Sequence, residues 1–351
     1  MKRRVLACLV AGVVLAACGG GNSSAGDSTP GGSPATEPPA AGDGVLLIAN
    51  LNTLVELDLK SGERRILLEM TGTNSFVLDP AVSPDGGSVA YIQQPPPKVE
   101  EGRFDAGSDL WVMNRDGSSP RLVFEHAQPN QLVRFPRWED SGHILAIVQE
   151  ISAEAGITRV VYTLERIDAA TGQRENVIED VLAFDISPDG QRLVMAKLLP
   201  QTGEVLQASG LDGANAVEVV GADQLLAPFS YPRFSPDGQT VAFASADQTG
   251  ARAPAQLVSL ERGANGDYGA MPNPATLLDG LPQDIWTVEA GGGRAVRVAN
   301  LKEDLPALTW DGSGEHIYVV GVAGLYDVNL TTGSADRISE GAFHAQLTWA
   351  P

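Results

Sequence analysis

Five segments of this chain repeat one turn, and that repeat constrains the fold more than any other feature. Val82-Ser83-Pro84-Asp85-Gly86, Ile186-Ser187-Pro188-Asp189-Gly190 and Phe234-Ser235-Pro236-Asp237-Gly238 are copies of one motif. Each is followed by a short apolar strand, over residues 88–92, 192–196 and 240–244. Pro fixes φ and Gly supplies a left-handed position, so each copy reads as a turn joining two strands. Weaker copies start at Trp138 (Trp138-Glu139-Asp140-Ser141-Gly142) and Trp310 (Trp310-Asp311-Gly312-Ser313-Gly314). Both lack the Ser-Pro pair, which leaves their turn geometry open. Self-similarity of this kind marks an array whose units bury their apolar faces against one another.

A second motif follows each copy. Leu110-Trp111-Val112-Met113-Asn114-Arg115-Asp116-Gly117 leads to Arg121-Leu122-Val123-Phe124, and equivalent hairpins cover 164–178, 206–220, 285–298 and 325–338. Strand, tight turn, strand, loop, strand, tight turn, strand makes a four-stranded antiparallel blade. No stretch shows a long helical period. With these motifs the chain resembles the TolB-like, or WD40-like PD40, β-propeller family from residue 43 onward. The resemblance implies repeated four-stranded blades around a central channel.

The ends set the blade count. Leu347-Thr348-Trp349-Ala350-Pro351 is the first part of a further repeat, stopped inside its turn. The pattern resumes at Asp43-Gly44 with a strand over 45–49, and a hairpin over 54–68 completes that blade. The expected fold is therefore an all-β, six-bladed propeller, closed by a carboxy-terminal strand that joins the amino-terminal blade. Closure removes the exposed edges of an open array. The copies at Phe234 and Trp310 are spaced more widely than the rest, and residues 247–284 read as a hairpin inserted within the fourth full repeat. A seventh, degenerate blade is the alternative, with missing turn signals against it.

Ahead of the propeller, Met1-Lys2-Arg3-Arg4 and an apolar run over 5–17 form a signal segment, too short for a permanent membrane span. It ends in Leu15-Ala16-Ala17-Cys18, which resembles a bacterial lipobox. Residues 1–17 are thus expected to be cleaved, with Cys18 taking the lipid anchor. Cys8 leaves with the signal, so the mature chain has no free thiol and no disulfide. Residues 18–42 are the lipidated cysteine and a Gly/Ser/Pro tether with no large apolar residue after Cys18. As a flexible coil it reaches roughly 25–30 Å. Losing the three basic residues with the signal makes a formal charge of −20 more negative by three. So acidic a chain is expected to avoid nucleic acid and to meet the membrane only through its anchor.

Catalytic motifs are absent from the sequence: no G-x-S-x-G, H-E-x-x-H, paired-cysteine zinc pattern or phosphate-binding loop. His126, His143, His316 and His344 are scattered, and the Asp-Gly turns fall short of a calcium loop. No metal or cofactor is expected. Arg137, Asp185 and Arg233 share one offset in the innermost strands, where they either pair between blades or meet a ligand.

Topology sorts the loops. If the first strand of each blade runs toward its Pro-Asp-Gly turn, all tight turns share one face. The longer connections at 94–107, 125–134, 221–230 and 247–284 then share the other, where binding usually resides. Arg103, Phe104, Tyr231, Tyr268, Phe343 and His344 are the contact candidates. Two readings differ in class: a monomeric binding or scaffolding module in the cell envelope, engaging a protein, peptide or glycan, or an extracytoplasmic hydrolase or lyase with its site at the channel mouth.

Overall fold

A computed structural model describes residues 44–72, 74–100, 103–154, 157–199, 202–248, 281–340 and 345–350. Each repeated turn is held by its own serine. The Ser83 hydroxyl donates to Asp85 Oδ1 at 2.6 Å and accepts the Ser88 backbone N–H at 2.9 Å. Ser187 and Ser235 repeat both bonds, at 2.5 and 2.9 Å and at 2.5 and 3.0 Å. Gly86, Gly190 and Gly238 close the turns at φ of 71, 66 and 69°. The two degenerate copies reach the same end with a carboxylate. Asp311 accepts the His316 N–H from the serine's position, and Asp140 accepts the N–H groups of Gly142 and His143 in a turn one residue shorter.

Six four-stranded antiparallel sheets result, each named here from the axis outward. The first is β26 (Ala345–Ala350), β1 (Val45–Asn50), β2 (Thr53–Asp58) and β3 (Arg64–Glu69). The second is β4 (Phe76–Val82), β5 (Ser88–Gln94), β8 (Asp109–Asn114) and β9 (Arg121–Phe124). Between β5 and β8 lies a small hairpin, β6 (Lys98–Glu100) and β7 (Arg103–Asp105). The third is β10 (Leu132–Trp138), β11 (His143–Glu154), β12 (Ile157–Asp168) and β13 (Arg174–Glu179). The fourth is β14 (Val181–Ile186), β15 (Arg192–Leu199), β16 (Gly203–Gly210) and β17 (Val217–Val220). The fifth is β18 (Ser230–Phe234), β19 (Thr240–Ser245), β20 (Gln283–Glu289) and β21 (Val296–Glu303). The sixth is β22 (Ala307–Trp310), β23 (His316–Gly321), β24 (Gly324–Asn329) and β25 (Ser334–Glu340).

The chain is a six-bladed β-propeller. β26 pairs with β1 in six consecutive antiparallel positions, from Val45–Ala350 to Asn50–Ala345, so the last strand closes the first blade. Trp349 stacks on Tyr318 of the sixth blade, with ring centroids 6.0 Å apart and planes 8° from parallel. Its indole lies so close over Gly44 that a Cβ there would fall 1.7 Å from a ring carbon. The residue must therefore be glycine for lack of space.

One apolar cluster fills each of the six seams between neighbouring blades. This explains why the second strands, such as Val-Ala-Phe-Ala-Ser in β19, are buried along nearly their whole length rather than in alternation. Both faces of each sheet are covered by a neighbour. The long spacing before Trp310 interrupts the fifth blade without adding to the ring: β19 pairs directly with β20, Ser245 opposite Asp284. The hairpin expected within 247–284 lies mostly at 249–280, outside the described residues.

Candidate functional site

The innermost strands are irregular where they approach the axis. β4, β10, β14 and β18 each carry a register shift, between Leu78 and Ala81, Arg134 and Arg137, Val181 and Ala183, and Ser230 and Arg233. Asp79, Phe135 and Tyr231 sit at three of these shifts with φ of 49, 55 and 49°. Left-handed backbone in bulky residues costs energy, and bulges of this kind re-aim side chains. Here they turn the side chains of several blades toward one another.

The Phe135 and Tyr231 rings, from the third and fifth blades, meet edge to face at 5.5 Å and 88°. Arg134 pairs with the buried Asp79 carboxylate of the second blade at 2.5 Å, and the Phe135 N–H donates to the same oxygen at 3.1 Å. Gln346 of the first blade reaches both the Asp79 N–H, at 3.5 Å, and the Tyr231 phenol. Burial and the Asp79 charge push that phenol up to about 12. Four blades therefore join in one plug across the channel.

A second layer lies nearer the tight turns. Arg137 of the third blade pairs with Asp185 of the fourth at 3.1 Å, and Asp185 also accepts the Phe234 N–H at 2.9 Å. Arg233, from the fifth blade, is buried beside them, and its hydrogen-bond acceptors among the described residues are carbonyls: Pro232 O at 2.7 Å and Phe184 O at 3.4 Å. The shared offset thus splits in outcome. Arg137 and Asp185 pair between blades, while among the described residues Arg233 has no carboxylate within ion-pair distance.

The opposite end of these strands, where the longer connections lie, is braced as one platform. His126 stands between two carboxylates, Nδ1 at 2.6 Å from Asp109 and Nε2 at 3.2 Å from Asp105. Burial disfavours the imidazolium, but the two carboxylates outweigh it and raise the His126 pKa. The ring packs against Gly107, where a Cβ would fall 2.3 Å from it. Asn130 ties the same loop to the β6–β7 hairpin, donating to Phe104 O at 3.0 Å and accepting the Ala106 N–H at 3.1 Å. Gln131 donates to Glu150 of β11 at 2.7 Å. β11 and β12 pair over twelve residues, a longer hairpin than the repeat requires.

Of the sequence-derived contact candidates, Phe104 is exposed on β7, directly across from an exposed Val99 on β6. Arg103 is in the same strand, but its side chain lies outside the described residues. Tyr231 sits on an innermost strand within the plug rather than on a loop. Cys18, Tyr268, Phe343 and His344 lie outside the described residues. His143 pairs with Asp140 inside its turn at 3.0 Å, and His316 pairs with Asp327 at 2.6 Å. Among the described residues no group of three or more His, Cys, Asp or Glu is placed to hold a metal. A cavity of about 530 Å³ opens between the fourth and fifth blades, lined by Asp223, Gln224, Trp286 and Arg294 among others. The sequence names His126 only as one of four scattered histidines and gives no sign of Phe135, because nothing local marks the role of either one.

No family model matches the chain. Its fold is shared with TolB from Acinetobacter baumannii, at a TM-score of 0.60 and 12% identity, covering 88% of this chain and 68% of that one. A structure assigned as TolB from Agrobacterium tumefaciens gives a TM-score of 0.51 at 13% identity, covering 88% of this chain and all of that one. By sequence, 96 residues are 32% identical to oligogalacturonate lyase from Dickeya dadantii (strain 3937), which is 27% of this chain and 22% of the lyase. The chain thus spans about a fifth of the length of that curated relative.

Proposed function

We propose that this protein is a lipid-anchored extracytoplasmic β-propeller that acts as a binding or scaffolding module in the cell envelope. The observation that carries the reading is the braced long-loop platform, with Phe104 and Val99 exposed on a hairpin that His126 and Asn130 fix to the ring. A rigid scaffold presenting an exposed apolar pair is a common basis for recognition of a protein, peptide or glycan partner. The basic, apolar and Leu-Ala-Ala-Cys sequence of residues 1–18 supports export and lipidation, and the tether over 18–42 supports a domain held away from the headgroups.

The test places a photo-crosslinking residue at Phe104 and, as control, at exposed Val296 on an outermost strand. Adducts from detergent-solubilised envelope that form at 104 and not at 296 support the platform as the binding face. Equal labelling at both positions refutes it. The Cys18→Ala chain should leave the membrane fraction, and its full retention, with uncleaved precursor excluded, would refute the anchor.

The local likeness to oligogalacturonate lyase favours one second reading, an enzyme acting on an acidic polysaccharide. Incubation with oligogalacturonate, followed through the absorbance of an unsaturated uronate product, separates the two.

A further inference from the structure

The channel is positively charged where the rest of the protein is acidic. Its two layers hold three guanidinium groups, Arg134, Arg137 and Arg233, against two carboxylates, Asp79 and Asp185. The formal charge of the whole chain is −20. Arg134 takes Asp79 and Arg137 takes Asp185, so Arg233 is the guanidinium left over. A buried charge without a counter-charge is costly, and natural structures keep such groups where a ligand or ion completes them.

Three observations place a ligand rather than a defect at Arg233. Its known acceptors are two backbone carbonyls, both bonded to Nη1, which leaves the donors of Nε and Nη2 without a described acceptor. The neighbouring charges also favour an incoming anion. Burial and nearby Arg137 pull the Arg233 guanidinium down to about 9, against the opposing pull of Asp185, Tyr231 and Asp79. The Tyr231 ring closes one side, its centroid 5.7 Å from the guanidinium carbon.

We propose that this channel layer is a receptor for one carboxylate group, seated against Nε and Nη2 of Arg233 and drawn by the excess charge of Arg137 and Arg233 over Asp185. A planar guanidinium presents two parallel N–H donors at the spacing of carboxylate oxygens. The carboxylate comes from a free small acid or from an acidic side chain of a peptide, and the chemistry at Arg233 is the same for both. This proposal is independent of the long-loop platform, which lies beyond the aromatic plug.

The test uses the full chain purified in detergent, with thermal unfolding followed at constant ionic strength while chloride is replaced by a probe. One arm uses sodium acetate and the other a blocked Gly-Glu-Gly tripeptide, with a blocked Gly-Gln-Gly tripeptide as its control. The expected result is a saturable one-site rise in Tm of about 2–3 °C in at least one carboxylate arm and none with Gln. A larger response to acetate identifies a free acid, and a larger response to the Glu peptide identifies an acidic peptide. Arg233→Leu should abolish the rise. If that variant does not fold, Arg233→Lys keeps the charge without the fork and should weaken apparent affinity by about tenfold. A wild-type chain that responds to neither carboxylate, or a folded Arg233 variant that responds as the wild type does, would overturn the proposal. Because neither probe depends on Phe104, a failed crosslinking experiment and a failed titration are separate results.

Discussion

Removing residues 345–351 should be far more damaging than removing the much longer tether. β26 supplies six cross-strand pairs to β1, and the sheet it leaves behind would present β1 as a bare edge. Two side chains go with it. Leu347 is almost sealed in the seam between the sixth and first blades, and Trp349 stacks on Tyr318 within that seam. Truncating a buried Leu costs about 2–5 kcal/mol, and the half-buried Trp349 adds less than the about 3–5 kcal/mol of a fully buried one, so side chains alone amount to roughly 3–8 kcal/mol. A domain's whole net stability is typically about 5–15 kcal/mol. The truncated chain should therefore lose its cooperative urea transition or keep it at less than about half the parental midpoint. Tryptophan fluorescence and far-ultraviolet circular dichroism would follow the transition, with a chain lacking residues 19–42 as control. Coincident midpoints for the parent and the chain without its last seven residues would refute the argument that this strand closes the ring.

Three further predictions follow the same physics. Asp79→Ala strands Arg134 and frees the Phe135 N–H, and should cost about 3–5 kcal/mol in chemical denaturation, with part recovered in the Asp79→Ala/Arg134→Ala pair; a loss below about 1 kcal/mol would mean the plug is not held by that pair. Gly44→Val should lower Tm by forcing the Trp349 indole off its seat, and Trp349→Ala should relieve part of that strain; independent, additive effects would count against the contact. The His126 latch should respond to pH. Its raised folded-state pKa makes its contribution complete below the unfolded value near 6.5 and lost as pH rises through the folded value. Asp105 is lowered, against its own burial, by the Gly107 and Asn130 N–H groups and by His126, so its contribution is present above the ordinary carboxylate value and lost as pH falls through the folded one. Hydrogen exchange over residues 95–107, corrected for intrinsic rate, should be faster at about pH 8.5 than at about pH 5.5. The difference should vanish in His126→Gln; if the variant keeps it, another group controls the segment.

The ring was legible because its information is local. Ser83, Ser187 and Ser235 each bond an aspartate two residues on, and a turn chemistry confined to five residues can be read without knowing the fold. Closure by β26 was legible for the same reason, since Trp349 repeats the place of Trp310. The shared offset of Arg137 and Asp185 is also visible when two repeats are laid side by side, but the choice between pairing and ligand contact came from the structure. The plug is not visible in this way. Phe135 and Tyr231 meet only because β10 and β18 each slip register beside them, and no residue type announces such a slip. His126 was hidden differently: its two carboxylates lie 17 and 21 residues away and converge only when the segment read as a plain loop folds into the β6–β7 hairpin.

The contact between Phe135 and Tyr231 changes what the hole in the ring is for. With Gln346, Asp79 and Arg134 gathered around it, the axis is bridged at one level by groups from four of the six blades. The two faces of the ring thus share a set of central side chains that both can touch. A relation between the two faces would be thermodynamic: two ligands that both depend on the placement of Tyr231 alter each other's affinity by the same factor in both directions.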